Sequence, residues 1–112
     1  GDVVQEGQTV QFHLRDAKSA SEDLHLLLAA DRSRHPNAPL GALVFSCCGR
    51  GQGLFGRPHH DSGVLTERLG PIPVAGFFAQ GEIGPVGGRN FLHGYTASMA
   101  LFAQPTSKAE VK

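Results

Sequence analysis

Two stretches crowded with glycine constrain the fold of this chain more than any other feature. Residues 49–56 contain four glycines in eight positions, and residues 81–90 contain four glycines and a proline. The chain as a whole has fifteen glycines and seven prolines among 112 residues. Because glycine and proline favour turns and weaken helix interiors, this pattern argues against a helix bundle. A sheet protein with tight bends is expected instead.

The chain is long enough for one domain only. Half of its 112 residues would be too few to enclose a separate core, and 40% apolar residues suit one modest core. We therefore expect a single domain over residues 1–112, with residues 103–112 as a flexible polar tail. The first residue is glycine and no signal-peptide pattern follows it, so an excised piece of a longer protein is expected.

Charge and cysteine content narrow the classes of partner. Ten Lys and Arg balance ten Asp and Glu, so there is no basic excess to bind nucleic acid or an anionic membrane. No apolar run reaches the ~18 residues that a membrane span needs. The adjacent Cys47 and Cys48 cannot build a disulfide framework, which indicates a reducing compartment and a cytoplasmic location.

The first part of the chain predicts a strand followed by a long helix. Apolar and polar residues alternate through Thr9–Asp16, the period of a half-buried strand. Ser19–Glu22 has the pattern of a capping box, and leucines follow it at the i, i+3, i+4 spacing of one helix face. A helix of about three turns is therefore predicted, ending at His35–Pro39.

The rest of the chain predicts three more strands and a short helix. Apolar runs indicate strands over Leu40–Cys48, Val74–Ala79 and Phe91–Phe102, and Val64–Leu69 indicates a short helix. We expect parallel pairing across the first strand–helix–strand unit and antiparallel pairing of the last two strands, joined by the loop Gly81–Asn90. The predicted fold class is α+β: a mixed β-sheet of about four to five strands, with one long and one short helix packed on it.

The segment Gly51–Gly56 matches the pattern G-x-G-x-x-G, which binds dinucleotides when it opens a helix. Here Pro58 follows two residues later, and no acidic residue ends a second strand ~20 residues on. The dinucleotide interpretation is therefore rejected. The segment is interpreted as a bend that turns backbone amides toward a pocket, with Arg50 and Arg57 beside it.

Several ionisable residues lie at predicted strand ends or in the glycine-rich loops. They are Arg15, Asp16, Arg50, Glu82, Arg89 and His93. Pockets in sheet proteins collect polar groups at such positions, and guanidinium groups suit carboxylate or phosphate recognition. The alternative is that Arg15 pairs with Asp16, and Glu82 with Arg89, only to hold loops in shape. Both interpretations stay open.

The cysteines and histidines allow two other chemistries. Cys47 could act as a nucleophile with His93 as its base, which requires a lowered thiol pKa. A cysteine, His59 or His60, Asp61 and His93 could together hold a metal. The simpler interpretation is that one cysteine faces the core and the other lines the mouth of a loop.

Four consecutive segments resemble, in their order, the C-terminal domain of the FIST family, named for F-box and intracellular signal transduction. They are Gly41–Gly51, Leu54–Asp61, Leu69–Ala79 and Gly81–Gly94. Gly7–Asp16 and Glu22–Leu24 are also similar, so the resemblance covers the chain from about Gly7 to Phe102. The family pattern places its characteristic polar positions at Arg15, Asp16, Cys47, Gly49, Arg50, Gly51, Asp61, Glu82 and His93. Cys48 departs from the pattern, in which Asn is expected.

The resemblance implies a sensory domain for small molecules and not an enzyme. Its ligands would be amino acids or related small polar metabolites, and its partners a FIST N-terminal domain, absent from this chain, and a signalling output protein or domain. Some relatives are described as haem-binding sensors, so haem held by His93 or His59 is the alternative to a cofactor-free domain. A Cys47-dependent enzyme is a further alternative, and a homo-oligomer is compatible with the sequence.

We expect the ligand pocket where the Gly49–Gly56 bend, the Asp61 loop and the Gly81–Asn90 loop converge. In this interpretation Arg15 or Arg50 binds a carboxylate, and Asp61 or Glu82 binds an ammonium group.

Overall fold

The computed structural model describes residues 3–12 and 14–105 of the chain. Within these residues it contains one long helix, two shorter helices, a 3₁₀ turn at Cys48–Arg50 and five strands. In chain order the elements are α1 (Ala17–Arg34), β1 (Gly41–Cys47), α2 (Gln52–Phe55), α3 (His60–Leu69), β2 (Val74–Ala79), β3 (Glu82–Val86), β4 (Arg89–His93) and β5 (Ala97–Phe102). Among the described helices, none combines the length and the apolar character that a membrane crossing requires.

The strands form a three-stranded sheet and a separate hairpin. In the sheet the order is β2-β1-β5, with β1 parallel to β2 and antiparallel to β5. The central Val44 lies opposite Gly76 on one side and Met99 on the other. β3 and β4 pair with each other as an antiparallel hairpin. The α+β class is confirmed, and the sheet is mixed. The predicted antiparallel pairing of the last two strands is wrong, because β2 and β5 lie on opposite sides of β1 and each pairs with β1.

The core lies between one face of the sheet and the helices α1 and α3. Alternate residues of β1 point into it, since successive side chains of a strand face opposite sides. The buried apolar side chains of this core are Leu24, Leu28, Ala42, Val44, Val64, Leu65 and Leu69. Leucines of α1 and α3 recur at helical spacing, so each helix presents one apolar stripe to the sheet.

The strand predicted over Thr9–Asp16 is not part of either sheet. Within the described residues of this segment no strand pairing is present, and Val10, Phe12 and Leu14 are exposed. The parallel partner of β1 is instead β2, reached through α2 and α3. The strand prediction failed because alternation of apolar and polar residues does not specify a partner strand.

Two helices begin earlier than predicted. α1 begins at Ala17 because Asp16 is its N-cap, so the supposed capping box at Ser19–Glu22 lies inside the helix. α3 begins at His60 and not at Val64, which makes it a ten-residue helix. The segment around Asp61, predicted to be a loop, therefore forms the first turn of α3.

The segment predicted as a ten-residue loop is a hairpin. β3 and β4 fill most of Gly81–Asn90, and only Gly87 and Gly88 form the turn, with φ of 60° and 83°. Two consecutive positive φ values match the type I′ turn that suits the twist of a hairpin. The predicted strand Phe91–Phe102 is interrupted at Tyr95, whose φ is 60°. Of the predicted tail, residues 106–112 lie outside the described residues.

Candidate functional site

A cleft of about 720 Å³ lies between the β1–β2 pair and the segment that connects these two strands. One wall is apolar and includes Val44, Gly76, Phe77 and Phe78. The opposite wall is polar and is built from the 3₁₀ turn and the first turn of α3. A cleft of this volume, apolar with a few convergent polar groups, is typical of small-molecule sites.

A buried ion pair supports the polar wall. Arg50 Nε donates to Asp61 Oδ2 at 2.9 Å, and Arg50 Nη2 donates to Asp61 Oδ1 at 2.8 Å. The 3₁₀ turn after β1 places Arg50, and the first turn of α3 places Asp61, where a carboxylate is favoured by the helix dipole. Ser46 Oγ, on β1, donates to the same Oδ2 at 2.8 Å. The pair therefore ties β1 to α3.

His60 extends this network towards α1. Its Nδ1 lies 2.8 Å from Asp61 Oδ1, and because an ionised carboxylate only accepts hydrogen bonds, Nδ1 is the donor. The Nε2 atom lies 3.0 Å from Ser21 Oγ. The imidazole also stacks on Phe55, with ring centroids 3.5 Å apart. The order Ser21, His60, Asp61 resembles a catalytic triad, but Ser21 does not line the cleft, and Asp61 is already paired with Arg50.

The environment of Asp61 sets its charge. Burial acts to raise the pKa of Asp61, but hydrogen bonds from Arg50, His60 and Ser46, together with the positive charge of Arg50, hold the pKa below its ordinary value. Asp61 is therefore ionised at neutral pH. Its two oxygens accept four hydrogen bonds, which uses all four lone-pair sites of the carboxylate.

The start of α3 faces the cleft. His59 is the N-cap residue, with a left-handed φ of 61°, and its side chain makes no capping hydrogen bond. His59, His60, Asp61 and Ser62 all line the cleft. The first amides of a helix have no intrahelical acceptor, so they are free to donate to a bound group. The first turn of α3 thus presents polar groups to the cleft, across from its apolar wall.

The structure brings only part of the predicted site to this cleft. Arg50, Gly51 and Asp61 line it. Arg15 lies elsewhere: it donates a hydrogen bond to the carbonyl of Gly49, and its guanidinium carbon is 4.2 Å from the centre of the Tyr95 ring. A Cβ on Gly49 would come within 2.7 Å of the Arg15 guanidinium and 2.9 Å of the Tyr95 ring, so a larger residue there would displace these side chains.

Asp16 has a structural role at the beginning of α1. Its carboxylate accepts hydrogen bonds from the amides of Lys18 and Ser19 and from the Ser19 hydroxyl. The hydroxyl and amide of Ser19 and the amide of Lys18 lower the pKa of Asp16. The supposed pair with Arg15 is not present among the ion pairs of the described residues. Asp16 is therefore a helix cap.

The hairpin carries the other predicted site residues away from the cleft. Glu82 is buried, and its carboxylate accepts from the amides of Gly81 and Thr96 and from the Thr96 hydroxyl. Arg89 is exposed, and its guanidinium carbon lies 5.8 Å from the centre of the Phe91 ring. The alternative pairing of Glu82 with Arg89 is wrong, because Glu82 lies opposite His93 in the register and Arg89 opposite Val86.

Cys47 and His93 do not form the nucleophile–base pair considered as an alternative from the sequence. Cys47 is buried, and its sulfur accepts from the amide of Gly49, whereas His93 is hydrogen-bonded to the carbonyl of Gly84. Cys48 is exposed and lines the cleft. Within the described part of the chain, no three His, Cys, Asp or Glu side chains are grouped to hold a metal ion.

Three residues of the network were not singled out as site residues from the sequence: Ser21, Ser46 and Phe55. Ser46 carried a usable signal, since a serine inside an otherwise apolar strand needs a buried partner. Ser21 and Phe55 carried none, because their contacts with His60 depend on how α1 and α2 pack against α3.

Comparison with known proteins assigns the chain to a family. Residues 1–85 match the FIST C domain. The chain is 54% identical over 102 residues to an uncharacterized protein of Mycobacterium tuberculosis, a match of 91% of this chain and 27% of that protein. An uncharacterized protein of Mycobacterium bovis is 55% identical over 101 residues, covering 90% of this chain and 26% of that protein.

A plant protein is also similar. An F-box/LRR-repeat protein of Arabidopsis thaliana is 34% identical over 88 residues, which cover 75% of this chain and 17% of that protein. No solved structure matches the chain. The chain thus spans about a quarter of the length of its mycobacterial relatives. Because the family match covers most of the 112 residues, the chain belongs to the FIST C domain family, a family of signal-transduction domains.

Proposed function

We propose that this signal-transduction domain binds a small polar metabolite, an amino acid or a related carboxylic acid, in the cleft between the β1–β2 pair and α3. The observation that carries the proposal is the combination, in one cleft, of an apolar wall and a rigid polar wall. The domain would transmit the signal of ligand binding to a signalling output partner. The two free thiols support a cytoplasmic site of action.

The ligand's carboxylate would bind at the start of α3. The free amides of the first helical turn and the macrodipole both favour an anion there. The side chain of His59 makes no capping hydrogen bond to these amides, and the Arg50–Asp61 pair holds the same wall in place. The apolar part of the ligand would then contact Val44 and Phe78 on the opposite wall, since these side chains share the sheet face of Ser46.

Arg50 and Asp61 would support the site while remaining paired with each other. All four acceptor positions of Asp61 are used by Arg50, His60 and Ser46, so a ligand ammonium group would have to displace one of them. This favours ligands recognised through their anionic group. It argues against the expectation that Asp61 binds an ammonium group directly.

Isothermal titration against a panel of amino acids and small mono- and dicarboxylic acids tests the proposal. Phe78→Ala removes part of the apolar wall at an exposed position, and we expect roughly tenfold weaker binding from the loss of buried aromatic area. Phe91→Ala on β4 is the matched control, because Phe91 is exposed and lies outside the cleft. Saturable binding that both variants retain equally would contradict the proposed location.

The enzyme alternative gains no support from the arrangement of side chains. Thiol catalysis requires a base within hydrogen-bond reach of the nucleophile, and His93 is instead bonded to Gly84. The haem alternative with His93 or His59 also lacks a supporting observation: His93 lies in the hairpin, and His59 is exposed at the start of α3.

A further inference from the structure

We propose that a second cavity of this domain binds a neutral, apolar α-amino acid. The cavity has a volume of about 360 Å³ and lies between the first half of α1 and the connection from β4 to β5. The residues of this α1 pocket that carry the proposal are Arg15, Asp23, Leu24, Leu27, Arg50 and Tyr95. The carboxylate of the amino acid would bind Arg15 and Arg50, and its ammonium group would bind Asp23.

The guanidinium group of Arg50 offers the α1 pocket one of its edges. Nε and Nη2 both donate to the carboxylate of Asp61, so Nη1 lies on the other side of the planar group. Arg50 lines both the cleft and the α1 pocket, whereas Asp61 lines the cleft alone, so the edge away from Asp61 faces the α1 pocket. Nη1 has no hydrogen-bond partner within the described part of the chain, although the side chain is only 8% exposed.

Arg15 supplies a second guanidinium group to the α1 pocket. Its central carbon lies 4.2 Å from the centre of the Tyr95 ring, and its Nη2 donates to the carbonyl of Gly49, the neighbour of Arg50 in the chain. These contacts fix the side chain but leave most of its N–H donors unused by the described residues. Because a carboxylate accepts parallel hydrogen bonds from guanidinium groups, Arg15 and Arg50 would share the carboxylate of one ligand.

Tyr95 forms a wall of the α1 pocket in a strained conformation. Its φ of 60° is unusual for a bulky residue, and strain of this kind is concentrated at binding sites. The next residue, Thr96, is held from two sides: Glu82 accepts from its amide and hydroxyl, and its carbonyl accepts from the amide of Cys47. The buried Glu82 thus keeps the Tyr95 ring in position under the guanidinium of Arg15.

Asp23 supplies a negative charge to the same pocket. It lies in the second turn of α1 and makes no ion pair within the part of the chain that the structure describes. Asp16 also lines the pocket, but its carboxylate already accepts hydrogen bonds from Lys18 and Ser19. Asp23 is therefore the acceptor for an ammonium group. Guanidinium groups and a carboxylate in one small cavity match the two charges of a zwitterion.

The size and the apolar part of the α1 pocket limit the side chain of the ligand. Ala20, Leu24, Leu27 and Ala97 supply the apolar lining. The volume of about 360 Å³ is near the lower end of the range of roughly 300–1,000 Å³ for ligand pockets. A charged ligand side chain would lose its hydration against the two leucines without gaining a partner. Leucine, valine and methionine therefore fit the pocket better than charged or large aromatic amino acids.

Isothermal titration with leucine, valine and methionine tests the proposal. Two analogues of leucine each lack one charge: 4-methylpentanoate has no ammonium group, and 3-methylbutylamine has no carboxylate. Each analogue should bind at least about tenfold more weakly than leucine, as expected for the loss of a charge-assisted hydrogen bond. The titrations are made with the wild type and with Phe78→Ala, in which binding to the cleft is weakened.

Substitutions in the α1 pocket should act on the two ends of the ligand separately. Asp23→Asn should weaken leucine binding roughly tenfold but leave the binding of 4-methylpentanoate unchanged, because that ligand has no ammonium group. Arg15→Met should weaken the binding of both ligands roughly tenfold. Glu22→Gln and Arg57→Met are the matched controls, since both residues are exposed and lie outside the α1 pocket, and they should leave leucine binding unchanged.

Amide NMR spectra of the chain locate the bound amino acid. Leucine should shift the amide signals of Leu24 and Tyr95 in the α1 pocket and leave the signal of Gly76 in the cleft unchanged. Leucine binding that Asp23→Asn weakens supports the α1 pocket even if carboxylic acids do not bind in the cleft.

Two results would overturn the proposal. Leucine binding that Phe78→Ala weakens and Asp23→Asn leaves intact would place the amino acid in the cleft. Absence of binding for leucine, valine and methionine at millimolar concentrations would mean that the α1 pocket does not recognise apolar amino acids.

Discussion

Arg50 and Asp61 form a two-pronged ion pair, with N–O distances of 2.9 and 2.8 Å and side chains only 8% and 6% exposed. The pair connects the end of β1 to the beginning of α3, so it fixes the polar wall of the cleft. A buried pair of this kind contributes little relative to an apolar replacement of both partners, but removal of one partner leaves an uncompensated charge.

Removal of Arg50 should therefore be costly. We expect Arg50→Met to lower the free energy of unfolding by about 3–5 kcal/mol, measured by urea denaturation at pH 7. The double variant with Asp61→Asn should be more stable than Arg50→Met alone, because it no longer buries an unpaired carboxylate. Equal stabilities of the single and double variants would show that the pair is not coupled.

The same ion pair should make the free energy of unfolding depend on pH. The pKa of Asp61 is lower in the folded state than the ordinary value of about 3.9 that it has in the unfolded chain. Its stabilising contribution is therefore complete above that ordinary value and is lost as the pH falls through the lowered, folded-state pKa. The urea midpoint should decrease as the pH is lowered from about 5 to about 3, and Asp61→Asn should make this decrease smaller. The exposed Asp23→Asn is the control and should keep the wild-type slope.

Local signals predicted the strands β1 and β2 and the existence of both main helices. Those elements are short apolar runs or amphipathic stretches bounded by glycine and proline, so their own residues specify them. The choice of partner strands could not be predicted in the same way. The alternation in Thr9–Asp16 is as regular as that of a sheet strand, yet β1 pairs with β5, about fifty residues later.

The site was predictable where its residues flank the glycine-rich bend, as Arg50 and Asp61 do. The role of His60 was missed because α3 begins without an ordinary cap: His59, in a left-handed conformation, replaces the usual Ser, Thr, Asp or Asn. The hairpin had a recognisable signal in Gly87-Gly88, which fits a two-residue type I′ turn. The number of glycines around it favoured a loop in the prediction.

The N-cap role of Asp16 gives a prediction about α1. Asp16→Ala should lower the thermal midpoint, since the amides of Lys18 and Ser19 lose their acceptor, whereas Asp16→Asn should retain most of the stability because asparagine caps helices equally well. Differential scanning calorimetry measures both midpoints. If Asp16→Asn is as harmful as Asp16→Ala, the charge and not the cap is the important feature.

The pairing of β1 with β2 should depend on Gly76. This residue has a φ of 159°, and a Cβ added to it would overlap the carbonyl of Val44 in the neighbouring strand. We expect Gly76→Ala to destabilise the fold by more than ~1 kcal/mol, measured by urea denaturation, and to open the cleft wall. Gly53→Ala in α2 is the matched control: a Cβ there meets nothing within 4 Å, so stability should be unchanged or slightly higher. Equal effects of the two substitutions would contradict the close approach at Gly76.

The contrast between Glu82 and Arg89 separates a structural role of the hairpin from a ligand-binding one. Glu82 is only 2% exposed and accepts three hydrogen bonds from Gly81 and Thr96. In Glu82→Gln one acceptor oxygen becomes an amide donor that faces a backbone N–H, so this substitution should cost about 1–3 kcal/mol of unfolding free energy. Arg89→Ala, at an exposed position, should stay within about 0.5 kcal/mol. Urea denaturation compares the two, and titration with the acid panel is repeated where both variants are folded. If Glu82→Gln keeps full stability but abolishes ligand binding, Glu82 belongs to the ligand site.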